Sequence, residues 1–243
     1  MKVSDKKQLS REREWWEKNV DIKEQISNPY PSKWKLYDLN KKYNKIAENY
    51  NFNGKRVFVG GCGSGLFEKW VSEKFTPKRI VGMDLSAKMI KASKRRKKIF
   101  GFKANFIIGN IQKTKFKKHV FDVAIIIDAL HHVPNAFKTL KEMSRIADDI
   151  ILYEPNALNP VRRYNELAFK DSMVKEASFS KSEIRKWMKK IGYKQINIEN
   201  THFVPRFFPE NILWMAKYID VVAENIPLVK EISGSLFVIA RKS

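Results

Sequence analysis

A glycine-rich loop and one aspartate have the residue types and spacing needed to bind a nucleoside. Glycines stand at positions 60, 61, 63 and 65, directly after a short apolar segment. Glycine lets the backbone approach a ligand closely and adopt angles that a side chain disfavours. Asp84 ends the next apolar segment, 19 residues after Gly65. Because a carboxylate at that place can accept two hydrogen bonds from a ribose diol, the pair predicts a site for an adenosine-bearing cofactor.

The spacing of the glycines distinguishes between cofactors. A dinucleotide fingerprint G-x-G-x-x-G that began at Gly61 would need glycine at position 66, which is Leu66. The chain instead has the pattern G-x-G-x-G at Gly61, Gly63 and Gly65. The loop therefore departs from the dinucleotide pattern.

Four side chains able to exchange a proton follow central apolar segments: Asp128, His131, His132 and Glu154. Open α/β sheets bind ligands beyond the carboxyl ends of their strands. We expect Glu154 to matter most for turnover, because a carboxylate at a buried strand end is rare without a function. His131 and His132 are further catalytic candidates, although a structural role is the alternative for each. Asp128, His131 and His132 lack a fourth ligand, so we predict no metal site.

These residues are positioned by segments that alternate between strand and helix character. The alternation predicts an α/β fold with a doubly wound, mostly parallel, seven-stranded sheet that has helices on both faces. The predicted strands cover residues 55–60, 79–84, 105–109, 120–127, 150–154, 193–200 and 235–241. The predicted helices cover residues 33–50, 64–74, 86–98, 136–146, 158–170, 180–191 and 209–224.

The chain is expected to have two parts. Residues 1–50 form an N-terminal helical extension or lid, and residues 51–243 form the cofactor-binding domain. The sequence of residues 28–31, Asn-Pro-Tyr-Pro, interrupts the extension. Trp15 and Trp16 either cover the acceptor or pack the extension against the sheet.

The composition excludes several classes of protein. The 243 residues include 48 Lys and Arg against 26 Asp and Glu, a net charge of +22, and 43% are hydrophobic, enough for a core. A single cysteine, Cys62, excludes a disulfide framework, cysteine-built zinc sites and chemistry that needs two thiols. The sequence has no secretory signal and no apolar run of the roughly 18 residues that span a membrane. We therefore expect a cytoplasmic protein.

The order of the motifs resembles that of the class I S-adenosylmethionine-dependent methyltransferases, in particular their ubiquinone/menaquinone-biosynthesis-like (type 11) branch. The resemblance covers roughly residues 34–156. It implies a Rossmann-like methyltransferase fold, S-adenosyl-L-methionine as cofactor and methylation as the activity. The segments that carry it are 61–65, 80–90, 106–111, 121–133 and 154–156.

The resemblance also implies which residues contact the cofactor. Asp84 occupies the ribose-binding position, and Asn110 occupies the position that meets the adenine amino group. The full implied set is Gly61, Cys62, Gly63, Gly65, Asp84, Leu85, Asn110, Ile111 and Ile126.

Two positions depart from the family pattern. Val59 stands where the family usually has an acidic residue that helps to hold the methionine ammonium, and Asn110 replaces the commoner aspartate. The amide oxygen of Asn110 can still accept a hydrogen bond from the adenine amino group. A lost carboxylate that nothing replaces would weaken cofactor binding by about 1–3 kcal/mol. A catalytically silent cofactor-binding protein is therefore an alternative to an enzyme.

The expected acceptor is a small molecule or a lipid-like molecule. With one cysteine, methylation of cytosine C5 through paired thiols is excluded. The sequence Ile-Ile-Asp-Ala at 126–129 does not match the [DNS]-P-P-[YFW] motif of amino-adenine or glutamine-amide methylation. An RNA methyltransferase is the alternative enzyme, because the net charge favours nucleic acid.

Two basic clusters, residues 91–98 and 113–118, indicate a further partner. They follow the predicted ribose and adenine contacts, so we expect them to lie beside the adenosine end of the site and away from the transferred methyl group. We predict that they bind polyanions, either RNA or an anionic membrane surface, without sequence preference.

Overall fold

The computed structural model describes residues 3–27, 32–168, 177–204 and 208–242, and a seven-stranded sheet forms its centre. The strand order is β3-β2-β1-β4-β5-β7-β6. Strands β1 to β5 pair with one another in parallel, and β7 is antiparallel to both β5 and β6. The predicted α/β fold is therefore confirmed. The strands are β1 (Arg56–Gly60), β2 (Arg79–Asp84), β3 (Asn105–Ile108), β4 (Phe121–Ile127), β5 (Ala147–Pro155), β6 (Gln195–Thr201) and β7 (Ser235–Arg241).

Helices flank the sheet and precede it in the chain. Ser32, Ser86, Asn135 and Ser180 accept hydrogen bonds from backbone N–H groups of the first turns, which fixes where four of the helices begin. The helices are α1 (Val3–Asn19), α2 (Ile22–Ser27), α3 (Lys33–Asn49), α4 (Leu66–Lys74), α5 (Ala87–Phe100), α6 (Ala136–Ile146), α7 (Pro160–Ala168), α8 (Lys181–Ile191), α9 (Ala216–Asn225) and α10 (Pro227–Glu231). Short 3-10 helices cover Leu130–His132 and Glu210–Met215.

Some boundaries differ from the predicted ones for local reasons. Helix α4 begins at Leu66 and not at residue 64, because Gly65 has a left-handed φ of 78°. Strand β5 begins at Ala147 and not at residue 150, because Ala147 already pairs with Phe121 of β4. The predicted interruption at residues 28–31 and the end of the predicted helix at 169–170 lie outside the described residues.

The core lies on both faces of the sheet. Along β4, Val123 and Ile125 belong to one buried cluster, and Ala124 and Ile126 belong to the other. This alternation follows from the two-residue period of a strand. Ile46 of α3 belongs to the same cluster as Val123, so α3 packs into the core. The division of the chain at residue 50 stays a prediction.

Among the helices that the structure describes, none has the length and apolar composition needed to cross a membrane.

Candidate cofactor and acceptor site

A cavity of about 150 Å³ lies at the carboxyl ends of β1 to β4, and α1 closes one side of it. Six of the nine predicted cofactor-binding residues line it, whereas Cys62, Gly65 and Ile126 do not. The sequence alone did not predict which residues of α1 would line the cavity. The complete lining is Leu9, Glu12, Trp16, Gly61, Gly63, Asp84, Leu85, Met89, Gly109, Asn110, Ile111, Asp128, Ala129, His132 and Val133.

The glycine loop needs glycine because of its surroundings and its backbone angles. At Gly61, where φ is 69°, a Cβ atom would lie 2.3 Å from the Cβ atom of Ala129. At Gly63, where φ is 52°, a Cβ atom would meet nothing within 4 Å. Gly61 therefore allows the close approach of the segment after β4, and Gly63 leaves open space beside the cavity.

Asp84 is fixed at the cavity by two backbone hydrogen bonds. Its Oδ2 accepts from the N–H of Gly63 at 2.9 Å, and its Oδ1 accepts from the N–H of Ser86 at 2.9 Å. Burial raises the pKa of Asp84 above its usual value, and the backbone N–H donors of Ser86, Gly63 and Leu85 partly offset that effect. Each carboxylate oxygen has two lone pairs. The carboxylate thus keeps an acceptor position for a ligand, as ribose binding requires.

Asn110 holds its own turn in place. Its Oδ1 accepts a hydrogen bond of 2.8 Å from the N–H of Gln112. An amide oxygen accepts two hydrogen bonds, so one lone pair remains for an adenine amino group. Ile111, next in the chain, is 7% exposed and gives this end of the cavity an apolar wall.

The carboxylate of Glu154 lies beneath the site and does not line the cavity. The residue is 0% exposed, and its Oε1 accepts from the N–H groups of Ala129 at 3.0 Å and Leu130 at 2.8 Å. Its Oε2 lies 2.7 Å from Nδ1 of His131. We therefore revise the role expected of Glu154: its contacts are those of a residue that positions the 130–132 turn and the ring of His131, and not those of a base that touches the acceptor.

His132, in contrast with His131, lines the cavity. Its ring packs edge-on against Trp16, with 6.0 Å between the ring centres, and its Nδ1 lies 3.7 Å from a carboxylate oxygen of Glu12. Burial lowers the pKa of His132 to about 3, and the charges of His131 and Arg162 act in the same direction. His132 is therefore neutral at pH 7.

Asp128 belongs to a buried charged cluster that the sequence did not reveal. Its carboxylate contacts the ammonium of Lys42, which is 2% exposed and also donates to Asp38 at 3.1 Å. Nε2 of His202 lies 3.2 Å from Asp38. Burial acts to raise the pKa of Asp128, but the neighbouring lysine outweighs it and holds this pKa below its ordinary value. Asp128 thus presents a negative charge to the cavity.

Three carboxylates line the cavity. They could supply the negative charge that the family usually places at position 59, where this chain has Val59. Val59 is 3% exposed and belongs to the core. Glu12, Asp84 and Asp128 reach the cavity from three different elements. Glu68, a buried carboxyl group on α4, is not part of the lining, and burial raises its pKa to about 8. Negative charge is therefore available at the cavity without an acidic residue on β1.

Helix α1 is held over the cavity by side-chain contacts. Leu9, Glu12 and Trp16 face the cavity at helical spacing. On another face of α1, Glu17 accepts hydrogen bonds from Oγ of Ser86 at 3.0 Å and from the N–H of Lys88 at 3.2 Å. These contacts tie α1 to the beginning of α5.

Arg96 does not belong to the basic surface on which the sequence placed it. It is 1% exposed and donates to the backbone oxygen and Oγ of Ser64 at 3.0 and 3.1 Å. It also donates to the backbone oxygen of Gln25 in α2. The burial of Arg96 could have been predicted from its position on the helix. Ser93 lies about one turn before it and Met89 two turns before it, so all three residues share one face of α5, and all three are buried. The guanidinium joins the glycine loop to the N-terminal helices.

The residues present fit an adenosine-bearing, positively charged ligand. Asp84 offers an acceptor position, Gly63 leaves space, and Glu12 and Asp128 supply carboxylates. The cavity is smaller than the roughly 300–1,000 Å³ of ordinary ligand pockets. Helix α1 forms one wall of this cavity, so a bound ligand would contact that helix. Within the described residues, no three His, Cys, Asp or Glu side chains are grouped as metal ligands.

Comparisons with known proteins find similarity to methyltransferases. The sequence model of a family described as "Methyltransferase domain" matches residues 59–149. A phthiotriol/phenolphthiotriol dimycocerosates methyltransferase of Mycobacterium tuberculosis is 26% identical over 199 residues, which are 81% of this chain and 65% of the relative. A fatty-acid O-methyltransferase of Mycolicibacterium smegmatis is 30% identical over 104 residues, which are 43% of this chain and 37% of the relative.

A solved structure shows the same fold. Magnesium protoporphyrin IX methyltransferase from Synechocystis, with bound S-adenosylmethionine, superposes with a TM-score of 0.64 at 16% identity and covers 97% of both chains. The sheet, the glycine loop and the family match define a class I S-adenosylmethionine-dependent methyltransferase domain. Within that class, the family model that matches residues 59–149 is that of the type 11 branch, as predicted. The chain matches less than two thirds of the length of its curated relatives.

Proposed function

We propose that this protein transfers a methyl group from S-adenosyl-L-methionine to a lipid-like or small-molecule acceptor. The observation that carries the proposal is the joint position of Asp84 and the glycine loop. The carboxylate lines the cavity, accepts a hydrogen bond from the N–H of Gly63 and keeps an acceptor position for a ribose hydroxyl. In the type 11 branch, this arrangement is the one expected to hold the ribose of the cofactor.

The lining residues suggest how the cofactor is oriented. Asp84 would hold the ribose, and Asn110 with Ile111 would hold the adenine. The methionine end would then lie toward the segment after β4, where Asp128 lines the cavity, and toward Glu12 on α1. These two carboxylates would supply the negative charge that Val59 does not provide. When bound, the cofactor supplies an electrophilic sulfonium methyl group.

The acceptor side of the cavity suits an apolar molecule. Trp16, Ala129 and Val133 contribute apolar surface there. His132 is neutral and can accept a hydrogen bond from an acceptor hydroxyl. With a pKa of about 3 it is a weak base. The protein's main contribution would therefore be to orient the acceptor and to exclude water.

The names of the relatives support the lipid-like class. Two of them are named for dimycocerosates and fatty acids as the molecules that they methylate. An acceptor of that kind matches the apolar lining around Trp16 and Val133.

The basic clusters are a separate part of the proposal. Lys91, Lys94, Arg95 and Lys98 are exposed on α5, and all four lysines of residues 113–118 are exposed as well. We propose that these side chains contact polyanions, RNA or an anionic membrane surface, outside the catalytic site. We also propose that the protein works in the cytoplasm. RNA as the methyl acceptor is the second candidate function, and the net charge of +22 is the observation that favours it.

A two-part experiment tests the proposal. Calorimetry with S-adenosylhomocysteine measures cofactor binding by the wild type and by Asp84→Asn. Purified protein is then incubated with methyl-labelled S-adenosylmethionine and, in separate reactions, with a lipid extract, a small-molecule extract and total RNA. We expect binding that Asp84→Asn weakens, and label in the lipid or small-molecule fraction.

Each contrary result identifies a different alternative. Absence of S-adenosylhomocysteine binding would reject the proposed cofactor. Binding without label in any fraction would indicate a catalytically silent protein. Label in RNA would replace the lipid-like acceptor with the second candidate.

A further inference from the structure

Exposed apolar side chains are concentrated in one part of the chain. Among the described residues, 14 of the 19 large hydrophobic side chains that are exposed lie between positions 158 and 232. The family match ends at residue 149, so these side chains lie beyond the residues that the family model matches. Contiguous exposed apolar surface on a soluble fold marks a site of interaction.

Helix α9 is oriented with its apolar side outward. Asp220 is 1% exposed, whereas Val221 and Val222 are each 60% exposed. Ala216 and Ala223, one turn on either side of Asp220, are also buried. An ordinary surface helix has the opposite arrangement, with apolar residues inside and charged residues outside.

Polar contacts fix this orientation. Oδ1 of Asp220 accepts hydrogen bonds from the N–H groups of Phe203 at 2.6 Å and Val204 at 3.2 Å. Nζ of Lys41 on α3 lies 2.6 Å from Oδ2 of the same carboxylate. If α9 rotated to bury Val221 and Val222, the contacts of Asp220 would break. The N–H groups of Phe203 and Val204 and the ammonium of Lys41 would then lose that acceptor. The apolar side is therefore held outward by the fold.

Helix α7 also exposes apolar side chains and is joined to the end of α10. It has no buried residue among its nine, and Val161 and Leu167 are 44% and 67% exposed. Nδ2 of Asn159, just before α7, donates to the backbone oxygen of Ile232 at 2.9 Å, which joins α7 to the end of α10. Leu228 on α10 is 85% exposed. The outer apolar surface, as we call it, comprises Val161, Leu167, Trp214, Val221, Val222 and Leu228.

We propose that the outer apolar surface docks on an anionic lipid bilayer. Charge selects this occupant over a second copy of the chain. The net charge of +22 repels another copy and attracts anionic headgroups. Carboxylates near the surface have cationic partners: Glu231 pairs with Lys181 at 2.9 Å, and Glu224 shares Lys41 with Asp220, at 2.8 and 2.6 Å.

The surface also has the composition of an interfacial one. An amphipathic helix lies in the headgroup region with its apolar side toward the acyl chains, and tryptophan is favoured at that depth. Trp214 is 67% exposed. One part of this proposal rests on the proposed function: a lipid-like methyl acceptor would reach the protein from the bilayer on which the protein docks. Bilayer binding itself needs no methyl transfer.

Vesicle sedimentation without cofactor tests the docking. The probes are vesicles of phosphatidylcholine with phosphatidylglycerol and vesicles of phosphatidylcholine alone. The test variant is Val221→Ser/Val222→Ser. The matched control is Ile99→Ser/Phe100→Ser, which removes two side chains that are 54% and 51% exposed next to the basic cluster of α5. Circular dichroism and S-adenosylhomocysteine calorimetry on the same samples report the fold and the cofactor site.

We expect the wild type and the control to bind the anionic vesicles and the test variant to bind at least tenfold more weakly. If the test variant does not fold, Leu228→Ser replaces it, because that side chain is 85% exposed. Three results would overturn the proposal: no vesicle binding by the wild type, equal binding by the test variant, or a wild-type dimer in sedimentation velocity that the test variant converts to a monomer. Calorimetry separates these results from a failure of the proposed cofactor.

Discussion

Oε2 of Glu154 and Nδ1 of His131 are 2.7 Å apart. The same carboxylate accepts hydrogen bonds from the backbone N–H groups of Ala129 and Leu130, where the 130–132 turn begins. The strand-end carboxylate therefore determines the shape of the segment that follows the neighbouring strand. That segment carries His132 into the cavity.

The first prediction concerns this carboxylate. In Glu154→Gln one oxygen becomes an NH2 group that faces N–H donors, so buried hydrogen bonds are lost at a cost of about 2–3 kcal/mol of unfolding free energy. Turnover should fall more than in His131→Ala or His132→Ala, because the whole 130–132 turn loses its anchor. Urea unfolding and methyl-transfer rates measure both effects. The control is Glu73→Gln on the surface of α4, with a change below about 0.5 kcal/mol.

Equal stability of Glu154→Gln and wild type would contradict the anchoring role. Full activity of Glu154→Gln, together with loss of activity in a folded His131→Ala or His132→Ala, would contradict the expected ranking.

The second prediction concerns the ribose contact. Asp84→Ala should weaken S-adenosylhomocysteine binding at least tenfold, which is about 1.4 kcal/mol. The reason is that Asp84 lines the cavity and its carboxylate keeps an acceptor position for a ribose hydroxyl. Calorimetry is the measurement, and Asp122→Ala is the control, because Asp122 pairs with Arg56 at the opposite end of β4. Unchanged affinity in Asp84→Ala would remove the contact from the proposal.

The third prediction concerns the buried lysine. Lys42→Met leaves Asp38 and Asp128 without the cation between them, and loss of one member of a buried ion cluster costs about 3–5 kcal/mol. The additional replacement Asp128→Asn should restore part of the loss, which a double-mutant cycle in urea measures. If Asp128→Asn restores nothing, the two side chains are not coupled as the structure indicates.

The same lysine determines a pH dependence. In the wild type the pKa of folded Asp128 lies below its unfolded value, so this group stabilises the fold above the unfolded pKa, and the stabilisation is lost as the pH falls through the folded pKa. Without Lys42 the pKa of Asp128 rises above the unfolded value. The deficit of Lys42→Met should therefore shrink as the pH is lowered from 7. A deficit independent of pH would argue against an ionised Asp128 in the variant.

The fourth prediction concerns His132. Its folded pKa of about 3 lies below the ordinary 6.5, so the unfolded state binds one more proton between these values and the fold loses stability as the pH falls. His132→Gln should reduce the slope of stability against pH by up to ~1.4 kcal/mol per pH unit between about pH 6 and 4. Urea unfolding across that range is the measurement. His119→Gln, in an exposed position, is the control, and an equal change in both would contradict the assignment.

The fifth prediction uses two neighbouring arginines. Arg96→Ala should destabilise the protein by about 2–3 kcal/mol, because the buried oxygens of Ser64 and Gln25 lose their donor. Arg95→Ala, on the exposed side of α5, should change stability by less than about 0.5 kcal/mol. Thermolysin digestion should also release the N-terminal helices faster from Arg96→Ala. Similar stability of the two variants would show that Arg96 carries no such contact.

The sequence was informative where the signal is local. The alternation of apolar segments predicted the sheet, and the glycine spacing with Asp84 predicted the loop, because backbone angles and strand ends depend on nearby residues. The antiparallel strand β7 was also predicted as a strand, although its place between β5 and β6 required the structure. The confirmed family follows from the same local motifs.

Long-range contacts explain what the sequence could not show. Lys42 and Asp128 are 86 residues apart, and no pattern in either segment marks the other as its partner. Glu12 lies among several other charged residues of α1, and nothing in the sequence distinguishes it from Glu14 or Glu17. Only the position of α1 in the fold brings Glu12 to the cavity. Arg96 stands in a run of six basic residues between positions 91 and 98, so composition alone places it on the surface.

The position of α1 has a kinetic consequence. Leu9, Glu12 and Trp16 of that helix form one wall of the cavity, and the hydrogen bonds that Glu17 accepts from Ser86 and Lys88 hold the helix there. A cofactor that enters or leaves on this side would have to displace α1 and break those hydrogen bonds. Each exchange of used for fresh cofactor would then include an opening step, and the frequency of that opening would limit turnover.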